Sequence, residues 1–316
     1  GDRLGNPAGM PQVHNVNVGA LRVEPQPELA RVIDQISPDI MLGIGHLATL
    51  ALKLGAPNRR LFFYTAGCNL AQVMIQEGWA MDVVDLMERP DLSALAPRRD
   101  GYSGERKAVA AADLVIANSS QTRELYLSFY PDAAGKIYDR AIWSAQWAFE
   151  TALRNKGSAR PFHEREVDVL FVASDWDRAE KNYGMLRKIA VRFPRATIQI
   201  AGKLSDQVPG TRRLGLISDR AVLDAMGNAR TIVCPSILDS APGILYEAAA
   251  MRCNIVASKN CGNWRLCHPT LLAHPYGIGA FVDCIARSLT HSYESNISEF
   301  LQLDSYGELV ETLTVI

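Results

Sequence analysis

TIVCPSILDSAPGILYEAAAMRCNIVAS, residues 231–258, reads as a strand, a tight loop, a helix and a second strand. TIVCPS (231–236) and NIVAS (254–258) are short apolar runs, and ILYEAAAMR (244–252) between them is rich in helix formers. Two buried strands joined through a helix imply a parallel sheet covered on both faces. The same alternation extends upstream. VDVLFVAS (167–174) and ATIQIAG (196–202) read as strands, and KNYGMLRKIAVRF (181–193) and DRAVLDAMGNA (219–229) as helices. The last clear helix is expected at 278–290.

An earlier series does the same. PELARVIDQI (27–36) has Leu29, Val32, Ile33 and Ile36 on one helical face, and IMLGIG (40–45) is a strand. HLATLALKLG (46–55) is a helix and RLFFYT (60–65) a strand. A helix around 69–80, a polar stretch to about 103 and a helix at 105–112 follow. DLVIAN (113–118) is a strand, and SSQTRELYLSFY (119–130) is a helix with Ser119 or Ser120 as N-cap. VHNVNV (13–18) reads as a short strand before all of these, and residues 157–166 as a polar linker. The expectation is an α/β chain of two Rossmann-like domains, 1–160 and 161–316, with parallel sheets facing a central cleft.

Composition narrows the partners. The 316 residues are 48% hydrophobic and 21% charged, enough to bury two cores. A net charge of −1 leaves no electrostatic footprint for nucleic acid. Six cysteines are scattered without a framework pattern, and Cys234 sits inside an apolar run like a buried thiol, so a cytoplasmic location is expected. No apolar run reaches transmembrane length and no signal peptide is seen. A removed targeting segment and a peripheral membrane contact both stay open.

The segment that carries chemistry is the loop before the helix at 244–252. Pro242 suits a first helical turn, and Asp239 or Ser240 could cap it. The helix start at Ala241, Pro242, Gly243 and Ile244 then offers free amides and a positive dipole end to an anion. Glu247 lies four residues after Gly243 and seven after Ser240, on the same helical face, where a carboxylate suits a ribose hydroxyl pair. On these residues alone, Asp239 also reads as a simple cap and Glu247 as a solvated side chain.

This stretch resembles the family 4 retaining glycosyltransferases of the GT-B fold. That family carries two acidic residues separated by seven others around a small-residue loop, followed by a small-residue helix and a strand like VAS. Asp239 and Glu247 stand at the two acidic positions, with Asp where Glu is usual and SAPG as the loop. LGLISDRAVLDAMGNARTIVCPS (214–236), AADLVIANSSQTRELY (111–126) and PDIMLGIGHLATLALKLG (38–55) resemble further units of the family, so the likeness covers roughly residues 27–290.

The resemblance implies a nucleoside-diphosphate sugar as donor, with no other cofactor and no metal. The donor would be a UDP- or GDP-sugar, and the acceptor a hydroxyl of a saccharide, lipid-linked or small-molecule substrate. It places the diphosphate on a basic pair, here Arg178 and Lys181, although Ala173-Ser174 replaces the usual Gly-Arg. Gly202 ends a strand and would admit close approach of a ligand, while Ile217 and Ser218 would meet the base through their main chain. On the acceptor side the family places a histidine where Gly67 follows Tyr64-Thr65-Ala66. His46, Thr65, Gly67 and Asn118 are the expected cleft residues there.

Three other readings touch parts of the sequence. GIGHLA (43–48) matches a dinucleotide-binding GxGxxA, but the acidic residue expected about 20 positions on is absent. Cys253, Cys261, Cys267 and His268 lack zinc-ligand spacing. The third is a GT-B-fold protein that binds a nucleotide or partner without transferring sugar.

Overall fold

The computed structural model describes residues 27–76, 100–142 and 146–296. The strand expected at 13–18, the end of the helix expected at 69–80 and most of the polar stretch after it lie outside the described residues.

Two parallel sheets form, each with helices packed on it. In the first domain α1 (Pro27–Ile36), β1 (Ile40–Ile44), α2 (His46–Gly55), β2 (Arg60–Tyr64), α3 (Asn69–Gln76), α4 (Asp100–Ala111), β3 (Leu114–Ile116) and α5 (Ser120–Phe129) follow in order. The strands pair in parallel as β1-β2-β3. Ser119 caps α5, its hydroxyl accepting from the Thr122 amide at 3.1 Å.

The second domain holds β4 (Val167–Asp175), α7 (Tyr183–Arg192), β5 (Ile198–Lys203), β6 (Thr211–Gly215), α8 (Asp219–Gly227), β7 (Ala229–Cys234), α9 (Gly243–Ala250), β8 (Asn254–Ser258), β9 (Leu272–Ala273) and α10 (Ile278–Thr290). Its sheet runs β6-β5-β4-β7-β8-β9, with β4 and β7 central. The two-residue period sorts each strand's side chains onto opposite faces. Val169 and Phe171 pack with Leu186 of α7 and Phe281 of α10. Leu170 and Ile232 pack with Met226 of α8 and Leu245 of α9. Both faces are covered, which accounts for the near-continuous apolar strands in the sequence.

Some expectations shift. Helix α7 begins at Tyr183 instead of Lys181, because Ala179–Lys181 forms a separate 3-10 turn and Asn182 takes a left-handed φ of 60°. Strand β6 was not legible: its TRRLG is polar because it is an edge strand bonded only to β5. A helix at α6 (Gln146–Asn155) was also missed. Although it precedes the polar linker in sequence, its Phe149 and Ala152 are buried in the second domain's core.

Candidate functional site

A cavity of about 530 Å3 opens at the carboxyl ends of the second domain's strands. This is where ligands of parallel α/β sheets are received. Val172 to Ser174 and Trp176 close β4, and Ala201 and Gly202 close β5. Leu216, Ile217, Asp219 and Val222 form one wall, and Cys234 to Ser236 end β7. Lys181, Asp239, Ala241 to Ile244 and Glu247 complete the lining.

Local chemistry explains the shape. Trp176 is buried and its indole N–H donates to the Ala201 carbonyl at 2.9 Å, tying the ends of β4 and β5 together. Gly202 sits at φ 118°, and a Cβ there would lie 1.7 Å from the Ala173 carbonyl oxygen. The close approach that needs glycine is therefore strand against strand, although Gly202 also lines the cavity.

The start of α9 carries a correction. Its N-cap is Pro242, and no side chain caps it. Asp239 does not cap because its carboxylate pairs with the Lys181 ammonium at 2.5 Å. Ser240 does not cap because its hydroxyl donates to the Ala66 carbonyl and accepts from the Asn118 amide, both at 2.9 Å. The amide end of α9 thus faces the cavity without a side-chain partner, the arrangement that favours an anion.

Lys181 and Glu247 of the cavity are both perturbed. Burial pushes the Lys181 amine down, but the charge and hydrogen bond of Asp239 outweigh it and the net shift is upward. Burial pushes the Glu247 carboxyl up, and the charge of Asp219 pushes it further. Glu247 makes no side-chain hydrogen bond or ion pair with the described residues. A half-buried carboxylate with no donor from the protein is free to accept from a ligand. Under the floor, the Cys234 and Cys261 sulfurs lie 3.7 Å apart. All six cysteines are free and buried, and no group of three or more His, Cys, Asp or Glu among the described residues is placed to hold a metal.

A second, smaller cavity of about 110 Å3 lies on the seam between the domains. It shares Lys181 and Asp239 with the first, and adds Gly67, Gln72, Gln121, Thr122, Arg178, Glu180 and Ser240. Arg178 and Ser240 belong here and do not line the larger cavity; Arg178 pairs with Glu180. Ser218 lines neither; its hydroxyl caps α8 by accepting from the Ala221 amide.

The acceptor-side expectations separate. Gly67 lines the seam cavity, whereas Thr65 is fully buried and lines neither cavity. Asn118 is engaged by Ser240. His46 also lines neither; Asn69 Nδ2 donates to its Nδ1 at 3.1 Å, and burial pushes its pKa down. Sequence reading missed Asp219, which directly follows the turn at Ile217-Ser218, and the amides of Gln72 and Gln121, which carried no signal in isolation.

No protein-family model and no curated protein matches this sequence. Solved structures do match in shape. A sucrose-phosphate synthase from Thermosynechococcus elongatus superposes with a TM-score of 0.65 at 16% identity, over 90% of this chain and 74% of that one. The Anabaena protein HepE in complex with UDP and glucose gives 0.60 at 15% identity, over 92% and 82%. A UDP-forming α,α-trehalose-phosphate synthase from Burkholderia xenovorans, in complex with glucose-6-phosphate, gives 0.55 at 12% identity, over 86% and 70%.

The chain has the GT-B fold of glycosyltransferases.

At these identities the likeness speaks for the fold alone. In GT-B terms, the larger cavity belongs to the second domain and the smaller one to the seam between the two. No described helix is long and apolar enough to cross a membrane.

Proposed function

We propose that this protein is a retaining glycosyltransferase of family 4 that moves a sugar from a nucleoside-diphosphate donor to a hydroxyl acceptor. One observation carries the reading: Lys181, the uncapped start of α9 and the unpartnered Glu247 line a single cavity at the strand ends. In this reading the diphosphate lies on the α9 amides and Lys181, with Arg178 reaching in from the seam. Glu247 accepts from the ribose hydroxyls, and the base rests against Leu216, Ile217 and Val222.

The bond from the sugar C1 to the β-phosphate oxygen breaks, and its electron pair leaves with the diphosphate. Lys181 and the helix end stabilise that growing charge. The acceptor oxygen bonds C1 from the same face and its proton passes to the departing phosphate oxygen, so the anomeric configuration is kept and no side chain serves as nucleophile. The cations come from the chain itself, so transfer is expected without a metal or other cofactor. Among the residues lining the seam cavity, the neutral Gln72 suits a hydroxyl of a saccharide acceptor. UDP- and GDP-sugars are the donors to try first, and the free thiols fit a reducing, cytoplasmic setting.

The test is a calorimetric titration of UDP and GDP, followed by incubation with the sugar nucleotides that bind. Retained anomeric configuration and chelator-insensitive turnover are expected; an inverted product or loss of turnover with chelator sinks the mechanism. A second reading, nucleotide binding without transfer, is favoured by the glycine at position 67 and by Lys181 being tied to Asp239. Nucleotide binding with no turnover of any sugar nucleotide would select it.

A further inference from the structure

Of the six buried cysteines, Cys234 alone lines the larger cavity, at the end of β7. Its sulfur lies 3.7 Å from that of Cys261 and 3.5 Å from the Ser236 hydroxyl. Lys181 lines the same cavity, and the uncapped start of α9 adds its positive end. Reactive thiols sit in electropositive, partly open surroundings, and redox-sensing ones stand beside a second thiol. The remaining cysteines differ. Cys68 reaches the smaller cavity, but burial and the Glu105 carboxylate push its thiol up. Cys253, Cys267 and Cys284 line neither cavity.

We infer that Cys234 is a peroxide-reactive modification site, reached through the larger cavity, and that Cys261 resolves it to a disulfide beneath the cavity floor. The oxidant is hydrogen peroxide, which a cavity of about 530 Å3 admits. The Cys234 sulfur attacks one peroxide oxygen. The O–O bond breaks, a sulfur–oxygen bond forms, and the departing hydroxide takes the Cys234 proton to become water. The Cys261 sulfur then attacks Cys234. The sulfur–oxygen bond breaks, and the second hydroxide leaves with the Cys261 proton. Two thiols lose two electrons, and one peroxide becomes two waters. The order of attack follows from the hydrogen bond between the thiols. It holds Cys234 below the ordinary thiol value, against burial and the Asp239 charge, and it pushes Cys261 up.

The disulfide acts on the cavity through the loop that carries Asp239. To bond, the sulfurs close from 3.7 Å to about 2.05 Å. Cys261 is bridged to Asp239: the Asp239 amide donates to the Asn260 carbonyl at 3.1 Å, and the Gly262 amide to the Asp239 carbonyl at 2.8 Å. The neighbours of Asp239 are held elsewhere. Leu238 is buried in the first domain's core beside Leu125 and Tyr126. Ser240 fills the space beside Gly67, where a Cβ would lie 3.2 Å from its hydroxyl. A loop fixed on both sides cannot follow Cys261 as a whole, so the shift falls on Asp239 and its pair with Lys181. Oxidation therefore weakens binding in the cavity; that the bound molecule is a nucleotide rests on the donor reading above.

The test treats the reduced full chain with hydrogen peroxide and maps its thiols by mass spectrometry. Wild type should lose about 2 Da, the two hydrogens of one disulfide, and yield a Cys234–Cys261 cross-linked peptide that dithiothreitol reverses. Cys261→Ser should stop at a sulfenic acid on Cys234, trapped by dimedone, and Cys234→Ser should leave Cys261 reduced. UDP or GDP at about ten times its Kd should slow the wild-type reaction about tenfold by covering the sulfur. The cross-linked protein should bind that nucleotide about tenfold more weakly, with recovery in dithiothreitol. Cys234 and Cys261 still reduced in peroxide-treated wild type, or Cys234 joined to another cysteine, overturns the site, whether or not the variants fold. Unchanged affinity of the cross-linked protein overturns the link through Asp239. A Cys234–Cys261 cross-link in a chain that binds neither UDP nor GDP when reduced keeps the site and sinks the donor reading instead.

Discussion

The larger cavity and the domain seam use the same kinds of residue in opposite ways. On the seam most polar groups are committed: Ser240 bonds twice, Arg178 holds Glu180, and Gln121 donates to the Lys259 carbonyl. In the cavity the reverse holds, with Glu247 unpartnered and the start of α9 uncapped. Lys181 and Asp239 stand on the border and line both. A surface that spends its hydrogen bonds internally holds a shape, whereas one that leaves them unspent is built to receive.

The most damaging way to break this contrast is at the cavity floor. Gly202→Ala puts a methyl into the Ala173 carbonyl at an unfavourable φ. It should cost roughly 3–5 kcal/mol of stability, read by urea denaturation. A loss under 1 kcal/mol would mean that β4 and β5 can separate there without penalty.

Next comes the border pair. Lys181→Ala leaves the half-buried Asp239 without its cation and should cost roughly 2–4 kcal/mol of stability as well as nucleotide affinity. The double variant Lys181→Ala with Asp239→Ala should regain most of the stability and none of the affinity. Recovery of affinity in the double variant would show that Lys181 serves only Asp239.

Glu247 sharpens the contrast because its two effects have opposite signs. Glu247→Ala should weaken nucleotide binding by roughly 1.5–3 kcal/mol in calorimetric titration, the worth of charged hydrogen bonds. Its folded carboxyl is raised by burial and by Asp219, so the ionised form costs stability above the unfolded pKa and costs nothing below it. Glu247→Gln should therefore be more stable than wild type at neutral pH, with the gain vanishing in acid. Nucleotide binding, which needs the ionised form, should weaken in wild type as pH falls into the acid range, starting above the usual glutamate value. A pH-independent difference between wild type and Glu247→Gln would contradict this.

The smallest effect is expected at the outer seam. Arg265 and Glu124 pair across the domains at 3.3 Å, with both side chains partly exposed. Arg265→Ala should change stability by less than about 0.5 kcal/mol. A larger loss would show that the rim, and not Leu238, holds the domains together.

What was legible in the sequence follows from periodicity. Central strands such as β4, β7 and β8 are buried on both faces, so their apolar runs stand out. Glu247 was placed facing the helix start because spacings of four and seven survive in any regular helix. The polar edge strand β6 and the destination of Leu238 were not legible. An edge strand needs no apolar face, and a single leucine in a loop does not say which core it enters. Asp239 and Ser240 have the chemistry of caps, and only three-dimensional neighbours could show that Lys181, Ala66 and Asn118 compete for them. The glycine at 67 marked a departure from the family, and the side chain filling the space beside it lies 173 residues later in the chain.

The placement of α6 has a consequence for how the chain is made. Its Phe149 and Ala152 are buried with Leu245, Ala248 and Ile255, all of which leave the ribosome much later. The first domain likewise awaits Leu238. A nascent chain that stops at the linker therefore carries one helix with its apolar face uncovered and one core with a vacancy. Synthesis of the second half cures both at once, so each domain reaches its final packing only as the other is completed.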